Sequence, residues 1–156
     1  MSVSLEAIRA LRDKTSASLK DVREALEQAG GNEAKAMELL RKRGAQIAET
    51  RQDRATGQGR VGAYIHHDGR LGAIVEVDCE TDFVARTDDF VQFCRDVAMQ
   101  VASMSPDSLP VLLEQPFVKD PKTTINDVLN SLVAKTGEKV IIRRFTRFMV
   151  GEAVLA

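Results

Sequence analysis

Val61-Gly62-Ala63-Tyr64-Ile65-His66-His67-Asp68-Gly69-Arg70-Leu71-Gly72-Ala73-Ile74-Val75-Glu76-Val77 is the stretch on which the fold turns. Val61, Ala63 and Ile65 alternate with Gly62, Tyr64 and His66, the period of a strand. Asp68-Gly69 supplies the positive φ of a tight hairpin turn. Leu71 to Val77 then runs almost without a polar residue before Glu76. That pattern predicts a strand buried on both faces or packed under a helix. Further along, Asp88-Asp89 opens a long helix with Phe90, Phe93, Cys94, Val97, Val101 and Met104 as its apolar stripe. Pro106 and Pro110 mark a loop. Thr124-Ile125-Asn126-Asp127 opens another helix, with Ile125, Val128, Leu129, Leu132 and Val133 inward and Gly137 at its end. Lys139 to Val150 is rich in Val, Ile and Phe and reads as a third strand. The order ββααβ predicts an α+β core: a three-stranded antiparallel sheet covered by helices. Such an open sheet has two edges and a face to cover, and a second copy of the chain would cover it.

Upstream of the hairpin the period changes to that of helices. Leu5, Ile8 and Leu11 recur every three residues behind Ser4, an N-cap candidate. Ser18-Leu19-Lys20-Asp21 has the form of a capping box, with Val22, Leu26 and Ala29 on one face behind it. Gly30-Gly31 stops that helix. Asn32 caps a third, with Ala36, Met37 and Leu40 inward and Gly44 expected at its end. Ala45 to Arg54 stays helix-compatible but polar, and Gly57-Gln58-Gly59 breaks it. The expected organisation is a three-helix module at 1–44, a linker helix and flexible joint at 45–59, and an α+β core domain at 60–156.

Composition bounds what such a chain does. The 22 Lys and Arg balance 23 Asp and Glu, which excludes a strongly basic nucleic-acid coat. The balance shifts along the chain: residues 1–54 hold 11 basic and 9 acidic residues, the remainder 11 and 14. There is no Trp and one Tyr, so the core is aliphatic. No apolar run approaches the roughly 18 residues of a membrane span, and Met1 to Arg12 does not read as a signal peptide. A cytoplasmic location is expected. Cys79 and Cys94 form no CxxC pair and read as two reduced thiols.

The most unusual segment is Glu76-Val77-Asp78-Cys79-Glu80-Thr81-Asp82-Phe83-Val84-Ala85-Arg86. Asp78, Glu80 and Asp82 share one face of an extended chain. Three readings stand open: carboxylates favouring the following helix N-terminus, a hard-cation or acid–base site, and a contact loop anchored by Phe83. His66-His67-Asp68 puts two imidazoles on opposite faces of a strand, a poor chelate, and reads as hairpin flank. Arg143-Arg144-Phe145-Thr146-Arg147-Phe148 interleaves basic and aromatic residues as single-strand nucleic-acid platforms do. Its aromatics share no clean face, so partly buried arginines paired with the acidic loop are the stronger reading. Gly57-Gln58-Gly59 lacks the continuation of a phosphate loop.

Several of these residues carry a family resemblance. They are Leu11-Arg12-Asp13-Lys14-Thr15, Asp21-Val22-Arg23-Glu24-Ala25-Leu26, Ala34-Lys35-Ala36 and Arg43-Gly44-Ala45. With Cys79-Glu80-Thr81-Asp82-Phe83-Val84-Ala85-Arg86, Glu114 to Asp120 and Val140 to Phe148, they resemble translation elongation factor Ts along essentially the whole chain. The resemblance implies a guanine nucleotide exchange factor that promotes GDP release from elongation factor Tu, by binding and not as an enzyme, and with no cofactor. It implies that residues 1–44 form a ubiquitin-associated-like module that docks through Arg12, Leu19, Lys20, Asp21, Val22 and Arg23. It implies that the Thr81, Asp82, Phe83 and Val84 loop enters beside the nucleotide, with Phe83 as a wedge and Asp82 disturbing the Mg²⁺ and phosphate site. Direct contact with nucleic acid or membrane is not implied. Lys20 stands where the family often has Met, and the chain between Met104 and Leu113 is brief where relatives insert a helical hairpin. The single core half resembles short members that pair as homodimers. Thr146 stands where some of those carry a cysteine.

Overall fold

A computed structural model describes residues 3–154. Residues 1, 2, 155 and 156, at the ends of the expected modules 1–44 and 60–156, lie outside the described residues. The chain divides into two compact units, 3–53 with 130–139, and 54–129 with 140–154.

The first unit is helical: α1 (Leu5–Thr15), α2 (Leu19–Gln28) and α3 (Glu33–Thr50). Each begins where a short polar side chain satisfies an otherwise orphaned backbone donor. Ser4 Oγ accepts from the Ala7 amide at 3.2 Å, Ser18 Oγ from Asp21 at 3.1 Å, and Asn32 Oδ1 from Lys35 at 3.0 Å. The Ser18 hydroxyl also donates to Asp21 Oδ2 at 2.6 Å, a side-chain pair in place of the backbone bond to Ser18 that a full capping box would add. Ile8, Leu11, Ala17, Val22, Ala25, Leu26, Ala36 and Leu40 form one buried cluster. Leu5, grouped with Ile8 and Leu11 by its spacing, is exposed instead. On the outside, Arg43 joins α2 to α3 through Asp21 at 3.0 Å and Glu24 at 2.9 Å.

The third helix corrects the expectation that Gly44 ends it. It continues without a break to Thr50, so no separate linker helix starts at Ala45. Gly44 is buried, and a Cβ there would lie 2.1 Å from the carbonyl oxygen of Asn130. The glycine serves close approach of two backbones, not termination.

In the second unit, β1 (Gln58–Ile65), β2 (Leu71–Cys79) and β5 (Val140–Met149) form an antiparallel sheet in the order β1-β2-β5. Gly69, at φ 69, makes the hairpin turn. The expected core order omitted several short elements. Between β2 and β5 lie α4 (Asp82–Ala85), α5 (Asp88–Met104), α6 (Leu109–Glu114), a ribbon of β3 (Pro116–Phe117) and β4 (Asp120–Thr124), and α7 (Ile125–Thr136). Two to six residues are too few to show a period, which hides such elements from sequence patterning. From residue 130 onward α7 belongs to the helical unit.

Helix α5 covers one sheet face with Phe90, Phe93, Cys94, Val97, Ala98, Val101 and Ala102, all buried. Gln100, fully buried on the same helix, holds the ribbon. It donates to the Gln115 side chain at 3.2 Å and the Pro116 carbonyl at 3.1 Å, and accepts from the Val118 amide at 2.9 Å. The other face, where Val61, Ala63 and Ile65 pair with Glu76, Ile74 and Gly72, and those with Arg144, Thr146 and Phe148, is open. Strand β2 is therefore packed under a helix on one side only. Among the described residues no helix is long and apolar enough to cross a membrane.

Candidate functional site

The acidic segment leaves the sheet at Cys79 and turns at once into the single helical turn α4. Thr81 is extended and caps it, its hydroxyl accepting from the Val84 amide at 3.3 Å. Thr87 closes the far side. Its hydroxyl donates to the Val84 carbonyl at 2.8 Å and accepts from the Phe90 amide at 3.4 Å, opening α5. Val84 and Ala85 point into the core, so Phe83 is driven outward and is 80% exposed. Asp82 is exposed beside it and pairs with Arg86 at 2.9 Å. The Cys79 thiol donates to the Thr81 carbonyl at 3.1 Å, tying the strand end to the cap.

The three alternating carboxylates do not converge. Asp78 is buried against Arg143, whose guanidinium is raised above its usual range by the hydrogen bond and then by Coulomb attraction to that carboxylate. Glu80 meets Arg54 at 3.2 Å, and Asp82 meets Arg86. Glu76, upstream, pairs with Arg144 at 2.5 Å. Every one of these carboxylates meets an arginine, Arg143 also reaching Glu76 at 3.9 Å, and among the described residues no three His, Cys, Asp or Glu side chains gather as metal ligands. The cation-site reading loses its donor set on this geometry. What stands out is an apolar ring held in water at the tip of a charge-balanced turn.

The basic–aromatic strand is spent inside the protein. Arg143 and Arg144 hold Asp78 and Glu76, while Arg147 donates to the Ala102 carbonyl at 2.9 Å and to Glu152 at 3.2 Å. The arginine pairing read from the sequence is therefore present, but Arg143 and Arg144 are exposed and not partly buried, and one partner, Arg54, was not foreseen. Nothing in a spacing of 26 residues signals that contact. The histidines differ from expectation. Strand β1 ends at Ile65, so alternation stops and the two rings lie 4.2 Å apart. His66 Nδ1 shares a hydrogen bond with the Tyr64 hydroxyl at 2.9 Å. Asp68 accepts from the Arg70 amide, which holds its carboxyl below the usual range. These contacts serve the hairpin.

In the helical unit the named residues divide between surface and core. Leu19, at 56% exposure, lines an open groove of about 810 Å³ with Val3, Leu5, Ile8, Lys20 and Arg23. Arg23 also pairs with Glu27 at 2.8 Å, a hydrogen bond that raises its guanidinium above the usual range. Arg12 is exposed on the last turn of α1. Asp21 is half-buried between Ser18 and Arg43, and Val22 is fully buried in the core. Val22 is thus inside, as the periodicity of α2 requires, and Val84 is buried beside Ala85 in a turn too short to show a period.

The chain matches the family model described as Elongation factor TS over residues 5–110 and 80–156. It is 38% identical to Elongation factor Ts of Rubrobacter xylanophilus, an alignment covering 95% of this chain and 99% of that protein. Similarity to Elongation factor Ts of Solidesulfovibrio magneticus is 38% identity over 97% of this chain and 98% of the relative. For the protein of that name from Thermotoga petrophila the figures are 36%, 97% and 98%. The Rubrobacter alignment spans 193 positions, so that relative carries at least 37 residues that this 156-residue chain lacks. Matches running from end to end of proteins of one name leave a single assignment: this chain belongs to the elongation factor Ts family of translation elongation factors.

Proposed function

We propose that this protein is a guanine nucleotide exchange factor for elongation factor Tu, acting by protein–protein contact with no covalent step. The observation that carries the reading is Phe83. A phenylalanine 80% exposed on a turn pinned from both sides is a pre-formed anchor for an apolar pocket of a partner. Asp82 beside it brings a carboxylate to the same contact. Entry of the Thr81, Asp82, Phe83 and Val84 turn would disturb the Mg²⁺ and phosphate contacts that hold GDP. Linkage then makes nucleotide and factor weaken each other equally.

The first 44 residues, as a ubiquitin-associated-like module, would dock through the groove of Leu19, Lys20 and Arg23, with Arg12 and Asp21 nearby in sequence and Val22 as support. Residues 45–59 would join that module to the core domain, residues 60–156. The open face with Val61, Ile65, Ile74 and Phe148 would pair two copies as a non-covalent homodimer. The setting would be the cytoplasm.

Release of fluorescent GDP from elongation factor Tu of the same source tests the reading. Acceleration by the native chain is expected. Phe83→Ala should cut kcat/KM about 30-fold, the effect of losing ~2 kcal/mol of anchor contact. Asp82→Ala should cut it less. A folded protein that leaves GDP release unchanged would overturn the proposal.

A further inference from the structure

We propose that Glu80 and Arg54 are a positioning pair that sets the direction in which α4 presents Phe83. The proposal rests on the exchange reading for its functional consequence, but its structural content stands on this turn alone. Phe83 is too exposed for contacts of its own ring to fix it. Helix α4 has four residues, far below the length at which a helix is stable by itself. The direction of the ring is therefore inherited from whatever clamps the two ends of the turn. Behind Phe83 the clamp is apolar, through buried Val84 and Ala85 with the Thr87 hydroxyl. Ahead of it, β2 ends at Cys79, whose thiol meets the Thr81 carbonyl, and only Glu80 and Thr81 lie between the sheet and the helix.

Glu80 is the unusual member of that pair. Its side chain is 11% exposed, although it sits in a surface turn one residue before the cap. A carboxylate drawn that far from water costs free energy unless a cation meets it. Arg54 does so at 3.2 Å, reaching across 26 residues of sequence from just ahead of β1. Folding the carboxylate inward holds the residue before Thr81 in one direction, and Thr81 in its extended capping conformation follows, with φ −125 and ψ 151. Removing the guanidinium favours turning Glu80 out to water. That rotation swings the cap, and with it the base of α4.

The pair needs a readout separate from exchange. The chain has no tryptophan, so Phe83→Trp supplies a single reporter at the tip of the turn. In the isolated full-length protein, adding Arg54→Gln or Glu80→Gln should lower the fluorescence anisotropy of that reporter, while Arg54→Lys retains it. The double Gln variant should lower it no further than either single change, since both remove one interaction. In GDP release with Phe83 intact, each Gln variant should lower kcat roughly three- to tenfold with little change in KM. Unchanged anisotropy in the folded Gln variants overturns the pair, whatever the exchange rates. So does an exchange loss with unchanged anisotropy, because the residues would then touch the partner directly. If Glu80→Gln does not fold, Arg54→Gln carries the same test from an exposed position. A native chain that fails to accelerate GDP release defeats the exchange reading alone, and the anisotropy still decides whether the pair positions the turn.

Discussion

Cys94 shows how one buried side chain ties stability to pH. It lies on α5 against the sheet, and burial chiefly, with a contribution from Cys79, pushes its thiol up from 9.0 to about 12. Above pH 9 the unfolded chain releases this proton and the folded chain keeps it. Its contribution is complete below pH 9 and is lost as pH rises toward 12, at about 1.4 kcal/mol per pH unit. Urea midpoints measured between pH 8 and 10.5 should fall more steeply for the native protein than for Cys94→Ala. Equal slopes would remove the thiol from the account. Phe83 is the opposite case. Because its ring is in water, Phe83→Ala should leave the thermal midpoint within about 2 °C of native while reducing exchange. A large loss of stability would mean that the ring packs against its own chain. The exposure of Phe83 was legible in the sequence as an aromatic among carboxylates. Which arginine meets which carboxylate was not, because Asp78, Glu80 and Asp82 look equivalent along the chain.

At the scale of elements, α3 carries the clearest lesson. Glycine usually weakens a helix interior, and Gly→Ala there commonly gains ~1 kcal/mol. At Gly44 the sign should reverse, since the new methyl group would lie 2.1 Å from a backbone carbonyl that flexible side chains cannot relieve. Overpacking of that kind costs about 1–3 kcal/mol, and the backbone contact places Gly44→Ala at the upper end. A lowered urea midpoint for the helical unit is expected, and a raised one would show that the two backbones separate easily. Caps were legible element by element: Ser4, Ser18 and Asn32 each accept the amide three residues on. Elements of two to six residues were not, and neither was the continuation of α3. A glycine after an amphipathic stretch has the same local appearance whether it ends a helix or meets another one.

At the scale of the whole molecule, the question is the uncovered sheet face. Phe148 is 67% exposed there, with Ile65 and Val61 alongside, and water is a poor solvent for such a patch. Sedimentation at high micromolar concentration should show a dimer. Phe148→Asp should shift the equilibrium at least about tenfold toward monomer, through one charge placed against an apolar face. A clean 17 kDa species of the native chain would defeat the pairing.

The sequence by itself determined the α+β class, the hairpin and the helix caps at Ser4, Ser18 and Asn32, and offered an outward Phe83 as one of three readings, because period, turn chemistry and capping act over a few neighbouring residues. It also carried the family, through a motif eight residues long. Tertiary structure alone decided that Gly44 is a contact and not a stop, that Val84 is buried behind Phe83, and that β2 is covered on one face only. It alone paired Arg54 with Glu80 and Arg143 with Asp78. Each of those outcomes depends on which distant residue arrives alongside, and burial, close approach and charge pairing take their energies from that neighbour and not from adjacent sequence.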